Sequence, residues 1–543
     1  MAKNLIIFTD SGDTIIDEGT QVFDERGIVT TAEFIPGADK VLTTLYDEGY
    51  RIALVADGEW ESFQNVYKYN GLGYCFEQWI VSEVVGEQKP AKSMFDTAMD
   101  KMQLTDADKP QIVMIGNNLK KDVAGANRYG LISVWLDWSP RYFHKVEEPD
   151  WQPDYIVKTP EELLALIHNL EQELEAKKKL KQTTEAFSGV LYEEDTTFLK
   201  NMEKNNLAGD DIRRYQFWEW TQGVGLYGLW KMFCYEGKEE YIQILRKYYD
   251  RQLGIGFPAL NVNTVTPYLA MSCLAEYTGE AKYMEPCVKA AHDIMESFPR
   301  TKEGGFQHMT SDSLNDQELW DDTLYMTVLF LANMGRILQD NAMKKEAEHQ
   351  FLLHVKYLSD KETGLWYHGW TFNGSHNFAG AFWGRGNCWV TMAIPEFLSL
   401  VECSEATRTV LIDALRKQVE SLAKYQSSNG MWHTLIDDPT SYVEASATCG
   451  FAFGILKAVK EGLVAESYRE VALKAVAPIL ECIAEDGVVH QVSYGTPMGR
   501  IDKDFYKNIE LKPMPYGQAL AMLFLAEYLN QEKQIERQEN EVA

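Results

Sequence analysis

The feature that most constrains the fold is a change of period part-way along the chain. Up to about residue 160, short β-rich runs (5–9, 51–56, 111–115, 132–136 and 155–157) alternate with helical segments (38–48, 91–102 and 122–129). That alternation predicts a parallel, doubly wound α/β sheet. Chemistry in such a sheet sits at the carboxyl ends of its strands. From about residue 186 onward strand signals almost vanish, and amphipathic helices follow one another between loops rich in Gly, Trp, His and Asp. Roughly a dozen helices, at about 50–60 residues per pair, predict a toroid of α-hairpins with a site built from the loops at one end. Between the two regions, EELLALIHNLEQELEAKKKLKQTTE (161–185) is a helix that loses its apolar face and becomes charged, as a linker does. The expected layout is an α/β domain over 1–172, a helical linker over 173–185 and an all-α domain over 186–543.

Composition sets limits on partners. At 543 residues the chain exceeds one ordinary core. Fourteen Trp and 28 Tyr exceed what packing requires, and surplus aromatics suit stacking on sugar rings. A formal charge of -29 argues against nucleic acid and anionic membrane, both of which need cationic patches. It leaves room for a small anionic substrate held by local Arg or His. The start, MAKNLIIFTD, is too short and too quickly acidic for a signal peptide and reads as a buried strand. No run of about 18 apolar residues appears. The eight Cys are scattered without paired metal spacing, which predicts reduced thiols in a cytoplasmic protein. Nothing in the residues specifies an oligomeric state.

The densest polar constellation in the helical region is GGFQHMTSDSLNDQELWDDTLYM (304–326). The pattern predicts a helix over 317–338, capped by Asn315 with Glu318 as its reciprocal partner. Asp322 lies three, four and seven residues before Tyr325, Met326 and Leu329, so it shares an apolar face. Asp321 projects about 100° away and is expected in solvent. A carboxylate on an apolar face is either a satisfied structural group or a functional acid with a raised pKa.

The α/β region carries a set of its own. Asp10 follows the first strand, Lys89 sits in GEQKPAKSMFDTA, and Asn117 and Asp122 follow the 111–115 strand. The set resembles the haloacid dehalogenase-like superfamily. The resemblance implies Asp10 as nucleophile, Lys89 as the neutralising cation, and Asn117 and Asp122 in a metal loop, with Mg²⁺ held by Asp10 and Asp122. Three positions depart from the pattern: Gly12 replaces the usual general acid with Asp13 one step displaced, Ala56 and Asp57 replace a hydroxyl residue, and Asn117 replaces an acid. These departures point to a degenerate phosphatase-like domain, and the motif spacing leaves no room for a cap domain.

In the helical region WDDTLYM (320–326), YHGW (367–370), FWGRGNCW (382–389) and DDPTSYVEASAT (437–448) occur in an order that resembles the unsaturated glucuronyl and rhamnogalacturonyl hydrolases of glycoside hydrolase families 88 and 105. That resemblance implies an (α/α)6 barrel needing no cofactor, acting on oligosaccharides with a 4,5-unsaturated uronic acid at the non-reducing end. It implies hydration: an acid, here Asp322, protonates C4, water adds at C5, and the hemiketal opens and expels the aglycone. The family's second aspartate falls in PALNVNTVTP (258–267), where Asn261 and Asn263 stand instead. Arg385 is expected either to pair with the uronate or to form a structural salt bridge. His308 and His368 are candidates for hydrogen bonds to sugar hydroxyls or carboxylate, and Trp370, Trp383 and Trp389 for stacking. Asp438 and Glu444 are expected to fix loops. The other reading is a sugar-phosphate phosphatase whose helical barrel binds carbohydrate without catalysis.

Overall fold

The computed structural model describes residues 3–192, 200, 214, 215, 217–311 and 313–542, with side chains to residue 531. Its contacts divide it into two compact units, residues 1–175 and 176–543, and one helix, Pro160–Val190, runs through the division.

The first unit is a six-stranded parallel sheet. Its strands are β1 (Ile6–Thr9), β4 (Arg51–Ala56), β5 (Gln78–Val81), β6 (Ile112–Gly116), β7 (Ile132–Leu136) and β8 (Tyr155–Val157), ordered β5-β4-β1-β6-β7-β8. An antiparallel hairpin, β2 (Val22–Phe23) and β3 (Val29–Thr31), interrupts the crossover from β1 to β4. The central strands are apolar on both faces, as helix-covered parallel strands must be, and their side chains divide between two cores. The sequence reading missed β5, whose run QWIV is too short to show a period, and the helix Trp60–Asn70. The order reverses at β1, so the carboxyl ends of β1, β4 and β6 open one crevice.

The second unit is a closed ring of helical hairpins. Its inner helices are Trp220–Glu236, Val262–Thr278, Leu329–Ile337, Gly384–Leu400, Ala445–Lys460 and Pro515–Val542. Each packs on the next, and the last packs on the first. The ring is the toroid of α-hairpins that the helical pattern predicted, and the (α/α)6 barrel that the resemblance implied. Inner helices are apolar around their whole circumference: Val262 through Ala275 are buried apart from Asn263. Outer helices such as Glu239–Ile255 and Ala281–Ser297 bury one stripe only.

The predicted helix over 317–338 is a correction. Residues Glu318–Trp320 form a strand, β9, paired antiparallel with β10 (Gly369–Thr371). Helical turns begin only at Leu324. Asn315 adopts φ 42° and caps nothing; its amide donates to the His308 carbonyl and its oxygen accepts from Ser313. A three-residue strand deep in a barrel loop leaves no periodic trace, so the helical pattern after it was extended too far back.

Candidate active site

Five of the six inner helices bring their N-terminal ends to a single cavity of about 570 Å³. Glu219 and Trp220, Asn263, Asp322, Trp383 and Arg385, and Tyr516 reach it from successive hairpins. The positive ends of five helix dipoles therefore converge there, a setting that favours an anionic ligand.

Asp322 stands where β9 ends and the inner helix begins, and its carbonyl accepts from the Tyr325 and Met326 amides, each at 3.0 Å. Its side chain is 17% exposed and lines the cavity. Its neighbour Asp321 is 0% exposed, and neither of its oxygens has a hydrogen-bond partner. The expectation of a solvated Asp321 beside a buried Asp322 is thus reversed, because the 100° step applies to a helix and this segment is a strand entering a turn. Gly386 makes the space: a Cβ there would lie 2.4 Å from Asp321 Oδ2.

The proton affinities are reversed as well. Burial, reinforced by the charge of Asp322, holds the Asp321 carboxyl well above the usual range. Burial also pushes Asp322 up, but His308 outweighs it and leaves Asp322 below its ordinary value. His308 Nε2 lies 2.9 Å from Asp322 Oδ1, although neither atom meets hydrogen-bond geometry. The imidazole is fixed by stacking flat on Trp320, with centroids 4.0 Å apart. A raised pKa therefore belongs to Asp321 and not to Asp322.

The structure sorts the other sequence-derived candidates. His308, Asn263, Trp383, Arg385 and Trp389 line the cavity with Asp322. Asn261 does not: it is buried, its oxygen accepts from the Asn263 and Thr264 amides to cap the helix, and its amide donates to Ser311 Oγ. His368 is buried behind the wall, edge-on to Trp320 and bonded through Nδ1 to the Tyr506 hydroxyl at 2.6 Å. Burial lowers its pKa to about 3, so it is neutral. Trp370 lies on β10 against Tyr357 and Phe372, away from the cavity. Arg385 is 1% exposed; it donates to Ser493 O and Oγ, Tyr494 O and Thr496 Oγ1 and sits 3.7 Å from Glu444. Its guanidinium is a clamp on the loop 493–496, which favours the structural alternative over direct uronate pairing. Asp438 and Glu444 fix loops as expected, through Thr440 and Lys507 and through Ser446 and Ser493.

Several cavity residues escaped the sequence reading. Glu219 is the other carboxylate lining the cavity among the described residues, and its Oε1 accepts from Ser311 Oγ. Trp220 stacks on Tyr516 with centroids 4.6 Å apart. Arg500 pairs with Glu318 at 2.7 Å and keeps half of its side chain exposed. The available signal was position: Glu219 and Trp220 open a helix, and Arg500 directly follows a Gly-rich turn.

A model of Glycosyl Hydrolase Family 88 matches residues 192–531. The chain belongs to this family. The Unsaturated rhamnogalacturonyl hydrolase YesR of Bacillus subtilis is 32% identical over 321 residues, covering 59% of this chain and 91% of that protein. A solved structure from Klebsiella pneumoniae, described as a possible member of the GH105 family, is 42% identical with a TM-score of 0.61, covering 66% of this chain and 93% of its own. The first unit matches a model of haloacid dehalogenase-like hydrolases over residues 3–130. A Glyceraldehyde 3-phosphate phosphatase of Pyrococcus abyssi is 31% identical over 108 residues, covering 19% of this chain and 42% of that protein. This family 88 glycosidase therefore carries a haloacid dehalogenase-like unit ahead of its barrel.

That unit has its own cleft of about 290 Å³, lined by Asp10, Asp57, Lys89, Asn117 and Asp122. Lys89 Nζ is buried between Asp10 at 2.8 Å and Asp122 at 2.6 Å, with a further bond to the Val55 carbonyl. Asp57, in place of the hydroxyl residue, accepts from the Lys89 amide and pairs with Lys121 at 2.8 Å. Asp13 cannot replace the missing acid: it is fully buried and held below its usual pKa by Arg141, Ser139 and the Glu18 amide against the opposing effect of burial.

Proposed function

We propose that the barrel removes a terminal 4,5-unsaturated uronic acid from oligosaccharides of the rhamnogalacturonyl type by hydrating its C4–C5 double bond. The observation that carries this reading is Asp322, set beside His308 in a cavity onto which five helix N-termini converge, in a family 88 barrel. Those termini favour the sugar carboxylate, and that second negative charge raises the proton affinity of Asp322. The Asp322 carboxyl then passes its proton to C4. Water, oriented by Asn263 and Glu219, adds to the cation at C5 and returns a proton to the Asp322 carboxylate. The resulting hemiketal opens to a ketone, and C1 collapses to an aldehyde with release of the aglycone as an alcohol. No cofactor enters these steps.

The test is to digest a lyase-generated unsaturated rhamnogalacturonan disaccharide in ¹⁸O-water. Label on the C5 oxygen of product trapped at once by borohydride reduction supports hydration. Label confined to C1 would show ordinary glycosidic displacement and sink the reading.

In the first unit, the carboxylates of Asp10 and Asp122 and the amide of Asn117 form a hard oxygen set suited to Mg²⁺, which binds through one or two carboxylates and keeps several waters. The fit is physical: Asp10, Asn117 and Asp122 line one cleft, and the buried Asn117 side-chain nitrogen has no hydrogen-bond partner, so that side chain is free to present its oxygen to an ion. Bound there, the ion supplies charge neutralisation for a phosphoryl group. The eight cysteines are free thiols and support a cytoplasmic location.

A further inference from the structure

The missing acid at position 12 has a replacement. We propose that Glu18 supplies the leaving-group proton in the first unit, which makes that unit a working phosphomonoesterase and not a relic. A Cβ built on Gly12 would lie 2.0 Å from Glu18 Oε1 and 2.8 Å from Glu18 Cδ. The Glu18 carboxyl therefore occupies the volume that a side chain at position 12 would fill. It faces the cleft that Asp10, Lys89, Asn117 and Asp122 line.

The chain is built to put it there. Asp13 turns the backbone at φ 48°. Its buried carboxylate is gripped by Arg141 through Nε and Nη2, and Asp13 Oδ1 also accepts from the Glu18 amide at 3.0 Å. The turn closes when the Ser11 carbonyl accepts from the Ile15 and Ile16 amides. Tyr142 donates its hydroxyl to Glu18 Oε2 at 2.7 Å, which leaves Oε1 directed at the space above Gly12. Gly12 is thus a requirement of this arrangement and not a lost acid.

The steps balance. An Asp10 oxygen attacks phosphorus, the ester P–O bond breaks, and the Glu18 carboxylic acid protonates the departing alkoxide. Glu18 carboxylate then takes a proton from the water that attacks the acyl phosphate. The P–O bond to Asp10 breaks, releasing inorganic phosphate and restoring both side chains.

The test uses the full chain with Mg²⁺ and two probes, glycerol 2-phosphate and p-nitrophenyl phosphate. Glu18→Gln and Glu18→Ala are expected to lower glycerol 2-phosphate turnover about 100-fold, the usual size of a general-acid effect. With p-nitrophenyl phosphate, whose leaving group needs no proton, Glu18→Gln should release one equivalent of nitrophenolate and then stall as the phosphoryl-enzyme. Gly12→Asp should restore turnover in the Glu18→Ala background. In metal-free buffer Gly12→Ala should lower Tm in the parent chain but not alongside Glu18→Ala. The proposal is overturned if the parent protein hydrolyses neither probe, if Glu18→Gln keeps or raises turnover, or if Gly12→Asp fails to rescue. None of these readouts involves a sugar, so they stand apart from the barrel's reaction.

Discussion

At the scale of single residues, two adjacent aspartates have opposite environments. Asp321 is buried and unpaired, its proton affinity raised by burial, whereas Asp322 faces the cavity beside His308. Asp321→Asn keeps a neutral group of the same shape, so hydration rates within a few-fold of the parent are expected from steady-state kinetics. A loss as large as that of an Asp322 substitution would show that the wrong aspartate has been given the proton. The residue pair also shows what was legible. WDDTLYM pointed to a cavity-lining aspartate through resemblance, but its periodicity misassigned exposure, because no pattern of apolar residues records a three-residue strand.

At the scale of elements, the clamp by Arg385 is the clearest case of support for the site. A buried guanidinium with four donors spent on the loop 493–496 fixes one wall of the cavity. Arg385→Ala leaves Glu444 without its cation, and removing one partner of a buried pair costs about 3–5 kcal/mol. Thermal denaturation should show that loss, and Arg385→Lys should raise KM more than it lowers kcat, since the wall and not the reacting atoms is disturbed. An unchanged Tm in Arg385→Ala would contradict the clamp. Helix pairing was readable because each hairpin carries its own apolar stripe. The contribution of Glu219, Trp220 and Arg500 was not, because convergence of separate loops on one cavity is a property of ring closure.

At the scale of the whole molecule, the barrel should be acid-labile. His354 and His368 are buried and neutral, their pKa values lowered by burial to about 4 and about 3 from an ordinary 6.5. Their folded values lie below the unfolded one, so the stability they contribute is full above about pH 6.5. It is lost as pH falls toward 4 and 3, at about 1.4 kcal/mol per pH unit for each residue that the unfolded chain protonates first. Denaturant unfolding of the barrel between pH 7 and 4 should show this fall, and His368→Asn should flatten it. Equal stability across that window would contradict the neutral burial of both rings. Both fold classes were legible from the change of period alone, while the first unit's cleft looked broken, because Glu18 returns to position 12 only through a turn that Arg141, distant in sequence, holds in place.

The most direct measurement follows the ultraviolet absorbance of the C4–C5 double bond of an unsaturated rhamnogalacturonan disaccharide, mixed in turn with the parent protein and with Asp322→Asn. The parent should bleach the absorbance, and the variant should leave it at least about 1,000-fold slower while retaining the parent's circular dichroism and Tm, as expected when a proton donor is replaced by an amide. Bleaching by a folded Asp322→Asn at a rate near the parent's would contradict the assignment of the proton to Asp322.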